Sequence, residues 1–249
     1  MESYESLAFS YDELTQDVAY EKRADFVEKL FERARIPVHT VLDLACGTGT
    51  MTGIFTERGY ELIGVDNSEE MLMEAREKAA DFKGIPPLFL HQSMPRLDLY
   101  GTVEACICCL DSINYLTRKQ DVISTFERLK LFIAPGGVLV FDVHAPKKME
   151  ALDGQVFLDE REDLYCVWRT EYRRRAKILD YYVDIFRLLD DDTWERSFEE
   201  HHQRAYTVSE LTGWLKAAGF TAIRTHGDMK MRAPGEDEGR IYFSCIRKP

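Results

Sequence analysis

Positive charge is in short supply in this chain. Thirty-two lysines and arginines stand against 44 acidic residues, a formal net charge of −12 at pH 7. A protein that neutralised a phosphate backbone would carry a basic footprint, so nucleic acid is not expected as the main partner. Long apolar runs are missing too. No stretch approaches the roughly 20 residues that cross a bilayer, and no N-terminal segment has the apolar run of a signal peptide. The expectation is a cytoplasmic protein with no membrane partner. The six cysteines, Cys46, Cys106, Cys108, Cys109, Cys166 and Cys245, lack the spacing of a zinc site or a thioredoxin motif. No metal is expected. Cys106, Cys108 and Cys109 sit in an apolar run and read as small buried hydrophobes, with a redox or metal role as the alternative. Internal repeats and low-complexity segments are absent.

What is present is enough for one α/β domain with an elaboration: 249 residues, 45% of them hydrophobic. The chain is organised around Thr40-Val41-Leu42-Asp43-Leu44-Ala45-Cys46-Gly47-Thr48-Gly49-Thr50. Val41, Leu42 and Leu44 suit a strand covered on both faces, as in a parallel sheet. Gly47 and Gly49 allow a sharp turn and close approach of a ligand. Thr50 opens a helix whose free N–H groups favour a negative group. Asp43 puts a carboxylate at the carboxyl end of the strand, where open α/β sheets bind ligands. An anion-friendly helix start beside a carboxylate suits a zwitterion. Next comes Glu61-Leu62-Ile63-Gly64-Val65-Asp66-Asn67-Ser68, a second strand ending in an acid. Asp66 lies about 20 residues past the glycine turn, the place from which an acid accepts hydrogen bonds from a ribose.

Gly47, Gly49 and Gly53 also invite a dinucleotide reading, but bare glycine spacing is weak evidence, and Asp43 just before the turn would repel a pyrophosphate. The run Asp43-Leu44-Ala45-Cys46-Gly47-Thr48-Gly49, with Asp66 as the ribose acid, resembles the class I S-adenosylmethionine-dependent methyltransferases. Thr50 stands where many members have a third glycine. The resemblance implies a Rossmann-like, seven-stranded, mostly parallel sheet of order 3-2-1-4-5-7-6, its last strand antiparallel. It also implies S-adenosyl-L-methionine as cofactor, S-adenosyl-L-homocysteine as product, and cofactor contacts from Ala45, Cys46, Asn67, Met71 and Leu110.

Further stretches extend it. Phe9-Ser10-Tyr11-Asp12 is similar to the lead-in of many small-molecule methyltransferases, in which the N-terminal segment covers the cofactor. Tyr11 is assigned that role, with Tyr4 and Tyr20 as weaker candidates and core packing as the alternative. Residues 1–36 read as two helices. Gln92-Ser93-Met94-Pro95 aligns with the adenine-binding motif. Ser93 replaces its acid, so adenine is held by the Met94 backbone and apolar contacts, or by the Ser93 hydroxyl. Asp111-Ser112-Ile113-Asn114-Tyr115-Leu116 follows the fourth strand and resembles the fourth motif of the small-molecule-type, YqeM-like subfamily. Asp111 and Tyr115, with His144 after the fifth strand, are the candidates for catalysis. Capping or turn roles are the alternatives for Asp111 and Asn114, and simple strand termination for His144. Asn/Asp-Pro-Pro-aromatic, the nucleic-acid-base signature, is missing at that point.

Residues 153–205 change character. Apolar and charged residues alternate, as in antiparallel strands with one wet face. We expect an inserted β cap on the substrate side, with residues 1–152 and 206–249 forming the cofactor-binding core. Trp168, Tyr172, Tyr182 and Trp194 read as cap core or pocket wall. Arg173, Arg174 and Arg175 read as solvated hairpin charge, with an anionic substrate as the alternative. His201 and His202 should face opposite ways. Thr207 and Glu210 form a capping-box start. The expected function is methyl transfer to a small molecule by in-line displacement. A cofactor-binding regulator without turnover and, further off, an NAD(P)-dependent oxidoreductase are the rivals. The oligomeric state is not legible.

Overall fold

A computed structural model describes residues 8–248, apart from the side chain of Phe9; Tyr4 lies outside them. The apolar runs become five parallel strands: β1 (Thr40–Leu44), β2 (Glu61–Asp66), β3 (Leu88–His91), β4 (Val103–Cys108) and β5 (Ile133–His144). Two more, β10 (Phe220–His226) and β11 (Arg240–Arg247), complete one sheet of order β10-β11-β5-β4-β1-β2-β3. β11 runs antiparallel to both its neighbours. This is the expected order. β5 begins earlier than its apolar run, passing through Pro135-Gly136-Gly137 with a register shift against β4.

Side chains alternate across a strand, so each central strand serves two cores. Leu42 and Leu44 of β1, Cys106 and Cys108 of β4, and Leu139, Phe141 and Val143 of β5 face one side. Helices α5 (Lys119–Phe132) and α7 (Val208–Ala218) cover them with Val122, Phe126, Leu129, Leu211 and Leu215. Val41, Ala105, Ile107, Val138 and Val140 face the other side, beneath α2 (Tyr20–Phe31) and α3 (Thr50–Glu57). Asp43 shares the parity of Val41, so its carboxylate enters that second layer. Ser68 caps α4 (Glu69–Ala79) by accepting the Met71 N–H at 3.1 Å. Thr207 and Glu210 form the capping box of α7.

A second, antiparallel sheet lies within residues 156–204: β6 (Val156–Glu160), β7 (Leu164–Arg173), β8 (Ile178–Leu188) and β9 (Trp194–Arg204), paired in that order. Its inner face packs Cys166, Val183 and Ile185 with Trp168, Tyr181 and, from α1 (Ala8–Leu14), Tyr11 and Leu14. Tyr172 joins a small cluster with Met149 of α6 (Pro146–Ala151). Trp194, by contrast, is 47% exposed and belongs to neither core nor pocket. Arg173 holds Asp180 with two bonds of 2.5 and 2.8 Å, and Arg174 and Arg175 are exposed. His201 is buried and His202 exposed, on opposite faces of β9.

Candidate active site

The turn after β1 is built from left-handed residues: Ala45 (φ 61°), Gly47 (φ 55°) and Gly49 (φ 75°). The two glycines differ in what they make room for. A Cβ on Gly47 would find only Met71 Sδ, at 3.9 Å, so its open side is left to a ligand. A Cβ on Gly49 would sit 3.0 Å from Ala75 Cβ, so that glycine lets α3 pack on α4. Asp66 stabilises the turn from the next strand. One of its oxygens accepts the Gly47 N–H at 2.8 Å and the other the Ser68 N–H at 3.0 Å.

A cavity of about 610 Å³ opens at the carboxyl ends of the parallel strands, within the range of small-molecule sites. From the glycine turn it is lined by Asp43, Ala45, Cys46 and Gly47, and from the end of β2 and α4 by Asp66, Asn67 and Met71. Ser93 and Met94 line it after β3, Leu110 and Tyr115 after β4, and Tyr11 and Tyr20 from the N-terminal helices. Gly49, Asp111 and His144 do not line it. Gly49 is the N-cap of α3 and serves the packing just described. Ser93 makes no capping bond with its side chain, which leaves the hydroxyl to the cavity.

Asp43 is buried and accepts the Thr52 hydroxyl at 2.6 Å. Burial pushes its carboxyl up to about 7, against the Thr52 bond and with the help of the Asp66 charge. Burial also raises Asp66, against its bonds from Ser68 and Gly47. Two desolvated acids on one wall favour a cationic ligand, which would hold Asp43 in its charged form. The same burial raises the Cys46 thiol well above its ordinary value, so it is not a thiolate nucleophile.

Asp111 and His144, two of the three candidates for catalysis, fall in a buried polar cluster beside the cavity. Leu110 (φ 57°) and Asp111 (φ 55°) are consecutive left-handed residues, a conformation that costs of order 1–3 kcal/mol for each non-glycine residue. The Asp111 carboxylate accepts Gln203 Nε2 at 2.6 Å and Arg240 Nη2 at 2.6 Å. Burial pushes Asp111 up, but facing His144 and Arg240 bring it below its ordinary range. His144 is lowered to about 4, first by burial and then by Arg240 and Lys148, against the pull of Asp111. It is neutral at pH 7 and a poor proton acceptor. Asn114 accepts the His144 N–H at 3.0 Å and donates to the Arg204 carbonyl at 2.8 Å, joining β5 to β9.

Two polar groups near the turn, Asp12 and Lys78, have no role assigned from the sequence. Asp12 of α1 accepts the Thr48 hydroxyl at 2.6 Å and Lys78 Nζ at 2.6 Å, and Lys78 also reaches Thr50 at 3.1 Å. The local signal for Asp12 is the Phe-Ser-Tyr-Asp lead-in itself, one residue past Tyr11. Asp142, Arg240 and Gln203 had no local signal.

Residues 41–137 match the model of a family described as a methyltransferase domain. YqeM of Bacillus subtilis, provisionally named a methyltransferase, is 34% identical over 97% of this chain and 96% of its own. An S-adenosylmethionine-dependent methyltransferase of Clostridium acetobutylicum, known from its crystal structure, superposes with a TM-score of 0.87 at 27% identity, covering all of both chains. S-adenosylmethionine-bound CalS10 of Micromonospora echinaspora, an amino pentose methyltransferase, shares the fold at 20% identity with a TM-score of 0.77. With the glycine turn, the two acids and these likenesses taken together, the chain belongs to the S-adenosylmethionine-dependent methyltransferases.

Proposed function

We propose that the enzyme methylates a small-molecule acceptor held between the cofactor cavity and the inner face of the β6–β9 sheet. When bound, S-adenosylmethionine supplies a sulfonium methyl group that needs no further activation. The protein's task is then alignment of the acceptor and exclusion of water. Asp66 binds the ribose hydroxyls: two of the roughly four acceptor positions of a carboxylate go to Gly47 and Ser68, and the others are left for the sugar. Asp43 attracts the ammonium end through the glycine turn. Ser93 and Met94 border adenine, and Tyr11 closes the cavity from α1. Asn67, Met71, Ala45, Cys46 and Leu110 supply the remaining wall.

On the acceptor side, Tyr115 lies edge-on to His201 at 6.0 Å, and His201 is 6.2 Å from Trp168. We assign this aromatic wall, shared by the cavity and β7–β9, to the acceptor, and residues 153–205 to a substrate-side cap. Neutral His144 is left out of the transfer step. A cytoplasmic location fits the six cysteines, all free thiols, five of them buried; no helix among the described residues is long and apolar enough to cross a membrane.

The observation that carries the reading is the pair of desolvated acids facing one cavity beside a bare glycine. Calorimetric titration with S-adenosylhomocysteine and with NAD(P) tests the cofactor side, the former expected to bind and the latter not. Methyl transfer from labelled cofactor to a panel of small amines, hydroxyls and carboxylates tests the acceptor. Transfer to nucleic acid or protein, with none to the panel, would overturn the small-molecule reading.

A further inference from the structure

The left-handed pair Leu110–Asp111 needs a reason to persist, since neither residue is glycine. Asp142, fully buried on β5, provides one. Its two carboxylate oxygens accept the N–H groups of Leu110 at 2.9 Å and Asp111 at 3.0 Å. Arg240 on β11 then bridges Asp142 to Asp111, one nitrogen on each carboxylate. Its planar fork fits two acids in a way lysine would not. The second Asp111 oxygen accepts Gln203 of β9 at 2.6 Å, and Gln203 is itself buried. A single chain of charge-assisted bonds thus runs from the cavity wall at Leu110 through Asp142, Arg240 and Asp111 to the second sheet.

We propose that Asp142, Arg240 and Gln203 are positioning residues that couple cofactor binding to the seating of the β6–β9 sheet. None of the three lines the cavity. Asp142 and Arg240 fix the turn that presses Leu110 against the cofactor, and Gln203 fastens the sheet to that same turn. Since the turn is strained, it holds its shape only while these partners over-determine it. Anything that loosens the sheet then loosens the cofactor wall, and by linkage a bound cofactor tightens the sheet by the same factor. The Asn114 bond to the Arg204 carbonyl reinforces the seam one residue along. The proposal rests on the family's cofactor and not on the identity of the acceptor, so it can stand or fall apart from the acceptor assignment.

The test uses the full chain and S-adenosylhomocysteine. Gln203→Met removes one bond to Asp111 and leaves the cavity wall untouched; it should still weaken S-adenosylhomocysteine by about 5-fold, in the range of ordinary coupling. Asp142→Asn should weaken it by about 10-fold or more. The double variant should be no weaker than Asp142→Asn alone, since both act through one turn. In hydrogen exchange, S-adenosylhomocysteine should slow the β9 amides of the wild type and not those of Gln203→Met. A purely structural role would lower melting temperatures and leave these binding and exchange readouts unchanged. Affinity within twofold of wild type in folded Gln203→Met, or effects that multiply in the double variant, overturns the coupling. If Asp142→Asn does not fold, Gln203→Met and the exchange experiment decide alone.

Discussion

The Asp66 carboxylate accepts the Gly47 N–H at 2.8 Å, so the acid that ends β2 also holds the glycine turn that follows β1. One side chain shapes the turn and faces the cavity with its remaining lone pairs. Asp66→Asn keeps the volume but replaces an acceptor with a donor and removes the charge. Hydrogen bonds to a charged group contribute roughly 1.5–3 kcal/mol each, so the loss in S-adenosylhomocysteine affinity should be about 100-fold by calorimetry. An affinity close to wild type would remove Asp66 from the site.

Asp43 makes the affinity depend on pH. Its carboxyl titrates near 7 in the free protein, raised chiefly by burial. An ammonium ligand favours the ionised form and pulls that value down, so binding releases a proton. Affinity for S-adenosylhomocysteine should therefore rise with pH up to about 7 and then level off. Titrations in buffers of different ionisation enthalpy would show the released proton. In Asp43→Asn the affinity should be lower and the step near 7 absent. A step that survives the substitution belongs to another group.

Asp43 and His144 also pull stability in opposite directions. Asp43 holds a proton in the folded chain that the unfolded chain loses above about 4, so it destabilises the free protein progressively as pH rises from about 4 to about 7. His144, lowered to about 4, stays neutral when folded, while the unfolded chain takes up a proton below about 6.5. Its contribution is present at neutral pH and is lost as pH falls from about 6.5 to about 4. Each titration is worth roughly 3–4 kcal/mol at full extent, so in the wild type the two largely cancel over that window. Urea unfolding between pH 4.5 and 6.5 should show Asp43→Asn losing stability in acid and His144→Gln gaining it. Parallel profiles for both variants and the wild type would refute the balance.

Much of this arrangement is readable along the chain because its signals are local. The Val41–Leu44 run, the glycines and Asp66 sit within a few turns of one another, and a parallel sheet needs a helix between strands, which fixes the spacing. The strand order follows from the family resemblance. What escapes is whatever depends on distant partners. Asp111 is a polar residue at the right end of β4, and by position alone it faces the reacting centre. Its left-handed φ and its bonds to Gln203 and Arg240, 92 and 129 residues away, tie it to β9 and β11. No local pattern foretells that. Gly49 likewise has a partner outside its motif, since a Cβ there would lie 3.0 Å from Ala75 Cβ.

The two motif glycines should separate affinity from stability. At Gly47 an added methyl meets only Met71 Sδ, at 3.9 Å, so Gly47→Ala incurs mainly the left-handed backbone, of order 1–2 kcal/mol, while its methyl occupies the ligand's approach. S-adenosylhomocysteine affinity should fall by about 10-fold or more. At Gly49 the methyl lies 3.0 Å from Ala75 Cβ and 3.5 Å from Phe89 Cζ. Gly49→Ala adds overpacking to the backbone cost, roughly 2–4 kcal/mol together. Its melting temperature should therefore drop further than that of Gly47→Ala, with a smaller loss of affinity in the fraction that is folded. The reverse ranking would mean that Gly49 is the glycine facing the ligand.

Asp12 gives α1 a latch on the glycine turn, and its effect should be kinetic. The helix, described over Ala8–Leu14, carries Tyr11 on the cavity wall. Its polar ties include Asp12 to Thr48 and Lys78, and Ser10 to Arg187 of β8 at 2.7 Å. The side chains of Asp12 and Lys78 are 44% and 30% exposed, so the ion pair contributes at most about 1 kcal/mol to global stability. Asp12→Ala should shift the melting temperature by no more than a few degrees. Local opening of α1 uncovers the cavity, however, so release of S-adenosylhomocysteine should quicken by about 5-fold while its association rate changes little. Lys78→Ala should give a smaller effect of the same kind, because Thr48 still holds Asp12. Stopped-flow displacement measures both rates. A release rate untouched in Asp12→Ala would mean that α1 stays closed by its apolar packing on the second sheet, through Tyr11 and Leu14, and that the acid serves only the turn.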